Sequence, residues 1–199
     1  IIVASSDKAY GQSLKLPYKE DNPLRAIYPY DVSKACAEMV GVSYAKTFNL
    51  PIAITRCGNF YGGGDLNWSR LIPGTIRSMI RGETPIIRSN GKLIRDYIYI
   101  DDFVDGLVNV MENCNEKHEV VNIGSGTDYS VNEILDICME VDYYNAPVQY
   151  ISGKPSMIPI RKISSDKMKQ KYGWEASTPI HDGIFKTINW YREYYGTES

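Results

Sequence analysis

Histidine is nearly missing from this chain of 199 residues: the two present, His118 and His181, are too few for a His-rich metal site. Cysteine is scarce as well. The four cysteines (36, 57, 114 and 138) form no CxxC pair and read as reduced thiols of a cytoplasmic protein. No apolar run reaches the roughly 18 residues needed to cross a bilayer, so no membrane partner is expected. The net charge is only −2 and the basic residues are scattered, without the clustered stripe of a nucleic-acid binder. An initiator Met is absent too. The sequence begins directly on IIVASS, which suggests a fragment, and this short run without a charged leader is no signal peptide. Internal repeats and low-complexity tracts are lacking, and 199 residues suffice for a full core in one or two domains.

What is present is concentrated at the start. Residues 1–4 read as a buried parallel strand, so Ser5, Ser6, Asp7 and Lys8 follow at its carboxyl end, where open α/β sheets bind ligands. Tyr30 and Lys34 lie one helical turn apart. On one helix face the ammonium would stabilise the phenolate and lower the Tyr pKa from about 10, making it a usable base. Spacing alone is weak evidence: 16 Tyr and 13 Lys give roughly one chance Tyr-x-x-x-Lys in such a chain. A second pair exists, Tyr150 and Lys154, but Gly153 inside it and Pro155 after it forbid a helix face. The first pair is followed by Ala35-Cys36-Ala37-Glu38-Met39-Val40, good helix formers with no breaker before Gly41.

Residues 16–23 read as a Pro- and charge-rich loop delivering Tyr30 to a helix that runs to about Phe48, with Val32, Ala35, Met39 and Val42 as its apolar face. Residues 50–56 read as the next buried strand, and 57–65 as a long Gly-rich turn at the same sheet edge. Its glycines would let a ligand approach the backbone, with Asn59 as the contact to sugar or phosphate. Residues 69–82 read as a helix, and Arg70 lies beside Trp68, a stacking face for a base. Asn90-Gly91, between apolar runs at 85–89 and 92–100, predicts a type I′ hairpin that sets Arg88 and Arg95 on neighbouring strands. Residues 101–113 read as a capped amphipathic helix and 119–123 as a strand. Gly124-Ser125-Gly126 after that strand invites a dinucleotide reading, but the third Gly of Gly-x-Gly-x-x-Gly is replaced by Tyr129. Ser130-Val131-Asn132-Glu133 is a capping box, which gives the turn a structural explanation. Residues 148–151 read as a strand, 154–162 as a basic loop, 165–173 as a short helix with Trp174 packing behind it, and 179–195 as a last amphipathic helix.

Ser5-Ser6-Asp7-Lys8-Ala9-Tyr10-Gly11, Tyr30-Asp31-Val32-Ser33-Lys34 and Arg56-Cys57-Gly58-Asn59-Phe60-Tyr61-Gly62 together resemble the extended short-chain dehydrogenase/reductases acting on nucleotide sugars. Ser6-Asp7-Lys8, where most sugar-nucleotide 4,6-dehydratases have Thr-Asp-Glu, is similar to the CDP-glucose 4,6-dehydratases. So are residues 63–73 and Arg95-Asp96-Tyr97-Ile98-Tyr99. The resemblance covers essentially the whole chain, but the family's amino-terminal Gly-rich phosphate-binding half has no counterpart, so the chain alone is expected to bind NAD poorly. The resemblance implies an α/β fold: the carboxyl-terminal part of a doubly wound Rossmann-type parallel sheet at 1–66, plus a smaller mixed α/β substrate lobe at 67–199, some of whose segments return to the sheet. It implies NAD as cofactor, met by Ser5, Tyr30, Lys34 and Cys57, and a nucleotide sugar met by Asn59, Trp68, Arg70, Arg88, Arg95 and Asn122. Arg95 is implied on the pyrophosphate, where planar, permanently charged donors suit a diphosphate. A homodimer or higher homo-oligomer through the helix carrying Tyr30 is implied as well.

The implied chemistry is an internal redox dehydration. Tyr30 takes the proton of the sugar 4-hydroxyl while the C4 hydride passes to NAD. The new ketone acidifies C5; a base removes that proton, an acid protonates the departing 6-hydroxyl, and the hydride returns to C6. Ser6 would hydrogen-bond the 4-oxygen, with Asp7 the candidate acid and Lys8 the candidate base. Lys8 needs burial or neighbouring positive charge to lose its proton, and Asp7 needs burial to keep one; the alternative is that Lys8 is a structural cation and a water or another residue acts in its place. Two other readings stay open: a nucleotide-sugar epimerase or reductase with no use for the Asp-Lys pair, and a non-catalytic sugar-nucleotide-binding module.

Overall fold

Six consecutive buried residues, Ile52–Cys57, form β2, the middle strand of a parallel sheet ordered β1-β2-β6, with β1 at Ile2–Ala4 and β6 at His118–Ile123. The computed structural model describes residues 1–13, 15–114, 116–151 and 158–197. Strand alternation divides the side chains between two faces. Ala53, Cys57, Val121 and Ile123 pack on Phe103, Val110 and Met168 from α3 (Ile100–Asn113) and α5 (Asp166–Tyr172). The other face is covered by α1 (Pro29–Phe48), which crosses so closely that a Cβ on Gly41 would lie 3.3 Å from Val3 Cγ2. Helices on both faces of a parallel sheet are the doubly wound arrangement expected. β1 is less buried than its sequence reads: Ile1 is 64% exposed, because among the described residues only β2 pairs with it.

A second layer begins where β2 ends. β3 (Asn59–Tyr61) pairs in parallel with β5 (Ile94–Tyr99), and β5 pairs antiparallel with β7 (Asp128–Ser130). Tyr61 and Tyr99 from this sheet share a core with Ile76 of α2 (Leu71–Ile80), Ile134 of α4 (Val131–Val141) and Ile184 of α6 (Ile180–Thr197). The capping box at Ser130 and Glu133 forms as expected, and Gly173 closes α5 at φ 61°, with Trp174 buried behind it. α3 departs from expectation, since its N-cap is Tyr99 without a side-chain cap bond. Asp102 instead accepts from the Thr178 amide at 2.9 Å, just before α6.

The expected hairpin at 85–100 does not form. β4 (Ile86–Ile87) pairs in parallel with β8 (Gln149–Tyr150), and β5 pairs elsewhere, so Arg88 and Arg95 are not on neighbouring strands. Gly91 has the positive φ that a turn glycine signals, 76°, but the turn serves α4. The Gly91 and Leu93 carbonyls accept from the Asn132 and Val131 amides at 3.0 and 3.1 Å, partners for donors that every helix start leaves open. Of the second Tyr-x-x-x-Lys pair, Tyr150 ends β8 and Lys154 lies outside the described residues, as does much of the basic 154–162 loop.

The Gly124-Ser125-Gly126 turn has an occupant from within the protein. Asp96 Oδ1 accepts from the Ser125 amide at 2.9 Å and Oδ2 from the Gly126 amide at 3.1 Å. Asp96 is 2% exposed, and burial pushes its pKa up to about 7 despite those amides. The folded state therefore holds the Asp96 proton more tightly than the unfolded chain does. The stability this contributes is full below the ordinary carboxylate range and is lost as pH rises through about 7, on the order of 4 kcal/mol in all. Thermal unfolding should show Tm falling from about pH 4 to about pH 7, with a flatter slope in Asp96→Asn; equal slopes would remove Asp96 as the source.

Candidate active site

The site gathers at the carboxyl ends of β1 and β2. After Ala4 the chain turns into a 3-10 helix, Asp7–Tyr10, whose N-cap Ser6 accepts from the Lys8 amide at 3.3 Å. Gly11 ends it at φ 64°, packed so tightly that a Cβ would lie 2.0 Å from the Arg25 carbonyl oxygen. Asp7 is 3% exposed, and its Oδ1 accepts from Ser6 Oγ at 3.1 Å. Lys8 Nζ sits 4.8 Å from the centre of the Tyr30 ring, and Lys34 Nζ 5.8 Å from it. The structure thus brings Ser6, Asp7, Lys8, Tyr30 and Lys34 together, as the sequence predicts.

α1 is rotated from its expected face. Asp31, Ala35, Glu38, Gly41 and Ala45 point inward, while Val32 and Met39 are 38% and 68% exposed. The sheet needs small residues where the helix crosses it closely, and Ala35, Gly41 and Ala45 supply them.

Burial sets the electrostatics of the centre. It raises the Asp7 pKa, against Arg161, Ser6 and Lys8, and it lowers that of Lys8, helped by Arg161. Tyr30 departs from expectation: burial, then Cys57, raise its pKa, and Lys34 spends its ammonium on the Ala4 carbonyl at 3.0 Å. Nothing local singles out Arg161, which lies in a stretch that reads only as a basic loop. Its Nη1 lies 3.9 Å from Asp7 Oδ1, and its Nε and Nη1 are buried without a hydrogen-bond partner among the described residues. The segment carrying it is held beside the site by an isolated bridge from Ile160 to Ile94 and by Arg95.

The remaining expected contacts fare differently from one another. Arg95 is 7% exposed and donates to the carbonyls of Ile94, Pro159 and Ile158 at 2.6, 3.1 and 2.8 Å, so its fork grips the backbone leading to Arg161. Ser5 donates to Glu38, and the Cys57 thiol, pushed up to about 12 by burial, donates to the Ser5 carbonyl at 3.4 Å. Asn122 is corrected outright. It is fully buried, its oxygen accepts from Tyr10 Oη, and its amide nitrogen donates to the Tyr18 and Ser164 carbonyls, which leaves nothing for a nucleotide. The glycines of the 57–65 turn are also structural. A Cβ on Gly62 would strike Ile100 at 2.2 Å and one on Gly63 would strike Trp190 at 2.4 Å, so close approach is made by the protein itself. Asn59 is half-buried and donates to the Asp96 carbonyl at 3.2 Å.

Trp68, Arg70 and Arg88 do share one place, a cleft of about 310 Å³ between α2 and β4 that Arg77 and Glu83 also line. Trp68 is not a bare stacking face, because its ring packs on Tyr191 and Tyr195 and lies 5.4 Å from the Arg77 guanidinium. Arg70, at the edge of α2, is paired with Asp65 at 2.8 Å. Among the described residues no cluster could hold a metal, and no helix is long and apolar enough to cross a membrane.

Residues 1–124 match the NAD dependent epimerase/dehydratase family. The chain belongs to that family. It is 32% identical over 194 residues to a putative UDP-glucose 4-epimerase of Methanocaldococcus jannaschii, with 96% of this chain and 62% of that protein covered. It is 30% identical over 199 residues to the human dTDP-D-glucose 4,6-dehydratase, with 96% of this chain and 56% of that protein covered. The chain therefore spans 62% and 56% of the length of these two relatives. Among solved structures, the dTDP-glucose 4,6-dehydratase of Bacillus anthracis in complex with NAD superposes with a TM-score of 0.89 at 26% identity, covering 96% of this chain and 61% of that one.

Proposed function

We propose that the protein containing this chain is an NAD-dependent sugar-nucleotide 4,6-dehydratase acting on CDP-glucose. The observation that carries the reading is the Asp7–Lys8 pair. Burial moves the two pKa values toward each other, so the acid holds its proton more tightly than a free carboxyl and the amine beside it gives one up more readily. An epimerase transfers a hydride at one carbon and has no use for such a pair. Tyr30 and Lys34 suit the nicotinamide end of NAD: the phenol is half exposed and the ammonium stands beside it. NAD held there would supply the hydride chemistry, as acceptor for the C4 hydrogen and donor at C6. Tyr30 exchanges a proton with the 4-oxygen, Ser6 orients that oxygen, Lys8 removes the C5 proton and Asp7 protonates the leaving 6-hydroxyl. Arg161, with two buried donors to spare, serves the diphosphate with Arg95 behind it, and the cleft of Trp68, Arg70 and Arg88 takes the nucleoside. The base preference for cytosine rests on the Ser6-Asp7-Lys8 likeness. The outward face of α1, where Met39, Val40, Tyr44 and Phe48 are each more than half exposed, supports a homo-oligomer.

The test uses the whole protein with NAD and, separately, CDP-, dTDP-, GDP- and UDP-glucose, reading product mass. Loss of one water from CDP-glucose alone is the expected result. Inversion without water loss, the outcome favoured by the similarity to an epimerase, would overturn the dehydratase. Nucleotide-sugar binding without turnover would point to the non-catalytic module.

A further inference from the structure

We propose that Glu38 is the positioning residue that fixes Tyr30 and Lys34 against the Ser6–Lys8 turn; this rests on the reading of the centre given above. Glu38 follows Lys34 by one helical turn and Tyr30 by two, on a helix face turned inward. It is a carboxylate 2% exposed, set between Ala35 and Gly41 on the inward stripe that Asp31 begins and Ala45 ends. Ser5, just past β1 and still bonded through its amide to the Thr55 carbonyl at 2.8 Å, and Arg56 from β2 face this same side of the sheet. There Ser5 donates to Oε1, Arg56 Nε donates to Oε1 and Oε2 at 3.0 Å each, and Nη2 donates to Oε2 at 2.6 Å.

The junction reaches both sides of the active centre. Ser5 is the residue before Ser6. Arg56 lies 4.6 Å from the ring of Tyr10, which closes the turn opened by Asp7, and its Nη1 donates to the Glu20 carbonyl at 3.1 Å. Tyr10 is held in turn by Asn122 at 2.7 Å. A single buried carboxylate therefore ties the helix bearing the Tyr–Lys pair to both ends of the segment bearing Ser6, Asp7 and Lys8. Lys34 Nζ ties α1 to the Ala4 carbonyl at 3.0 Å, and one turn on Glu38 makes the only ion pair α1 has with the sheet among the described residues. Buried ion pairs add little net stability, but they demand one geometry. In a centre where misplacement by about 1 Å costs a hundredfold in rate, that geometry matters.

Two variants separate placement from stability. Glu38→Gln leaves Arg56 charged and buried, whereas Glu38→Gln with Arg56→Met leaves no charge unpaired. Hydrogen exchange followed by mass spectrometry on this chain should show both variants exchanging about tenfold faster at 5–11 and 28–36, with α4 and α6 unchanged. In the whole protein the double variant should recover the Tm lost by the single one. Its kcat should nevertheless stay at least about tenfold below wild type, with KM for the nucleotide sugar within about twofold. Exchange raised evenly across the molecule, or kcat returning along with Tm, would show a purely structural role. If the wild-type protein transforms no nucleotide sugar, the dehydratase reading fails and the exchange pattern alone decides on Glu38.

Discussion

Replacing Tyr30 by Phe is expected to lower kcat of the whole protein by roughly a thousandfold, with KM for the nucleotide sugar changed only a few fold, because a positioned proton-transfer group contributes about a hundred- to ten-thousandfold. The phenol is half exposed at the mouth of the site, so the change deletes one oxygen without opening the core, and Tm should move by no more than an exposed substitution allows. Burial raises the Tyr30 pKa, and Lys34, engaged by the Ala4 carbonyl, does not bring it down. The deprotonated form must therefore become more populated as pH rises past neutrality. The single-turnover rate of cofactor reduction in wild type should climb with pH on that side, and Tyr30→Phe should remove that climb along with the rate. Retention of a tenth or more of kcat would show that another group moves the 4-hydroxyl proton.

Much of this centre is legible in the sequence because its residues follow one another there. A strand tip carrying Ser5 to Lys8 and a helix start carrying Tyr30 to Lys34 are local features, and periodicity brings them to one sheet edge. Expectation fails where a local signal acquires a distant partner. Asn90-Gly91 signals positive φ in a hairpin or out of one, and the amides of α4, some 40 residues on, decide its use. Gly124-Ser125-Gly126 offers free amides to any anion, and Asp96 from a neighbouring strand takes them. Arg95, expected on a pyrophosphate, is spent on backbone carbonyls, while Arg161, which the sequence does not single out, keeps Nε and Nη1 without a hydrogen-bond partner among the described residues; nothing local says which guanidinium takes which place. A trace of Glu38 and Arg56 is available, since each is a charge in a stretch otherwise built for burial, and such charges are paired when they occur.

Asp7→Asn is expected to separate the two halves of the reaction. Asp7 is nearly isosteric with Asn and the replacement can still bond Ser6, but the amide has no proton to give the departing 6-hydroxyl. In the proposed reaction Tyr30 serves the oxidation at C4, which should continue, so the absorbance of the reduced cofactor should accumulate in the mixture, while release of the dehydrated product falls by about a hundredfold or more. The pH dependence distinguishes this from damage to the fold. Burial holds the folded Asp7 pKa above its unfolded value, so the stability it contributes is lost as pH rises through the folded value. A neutral amide escapes that loss, and at pH above the folded Asp7 value the variant should be at least as stable as wild type. In wild type, water loss should decline as pH rises through the raised pKa of Asp7, and the variant should lack that limb. Lys8→Met is the complementary change and should remove the ascending limb set by the lowered pKa of Lys8. Product release by Asp7→Asn at the wild-type rate would mean that the proton comes from elsewhere. Failure of the same variant to oxidise the sugar at all would make Asp7 a support for Tyr30, whose pKa its charge already influences.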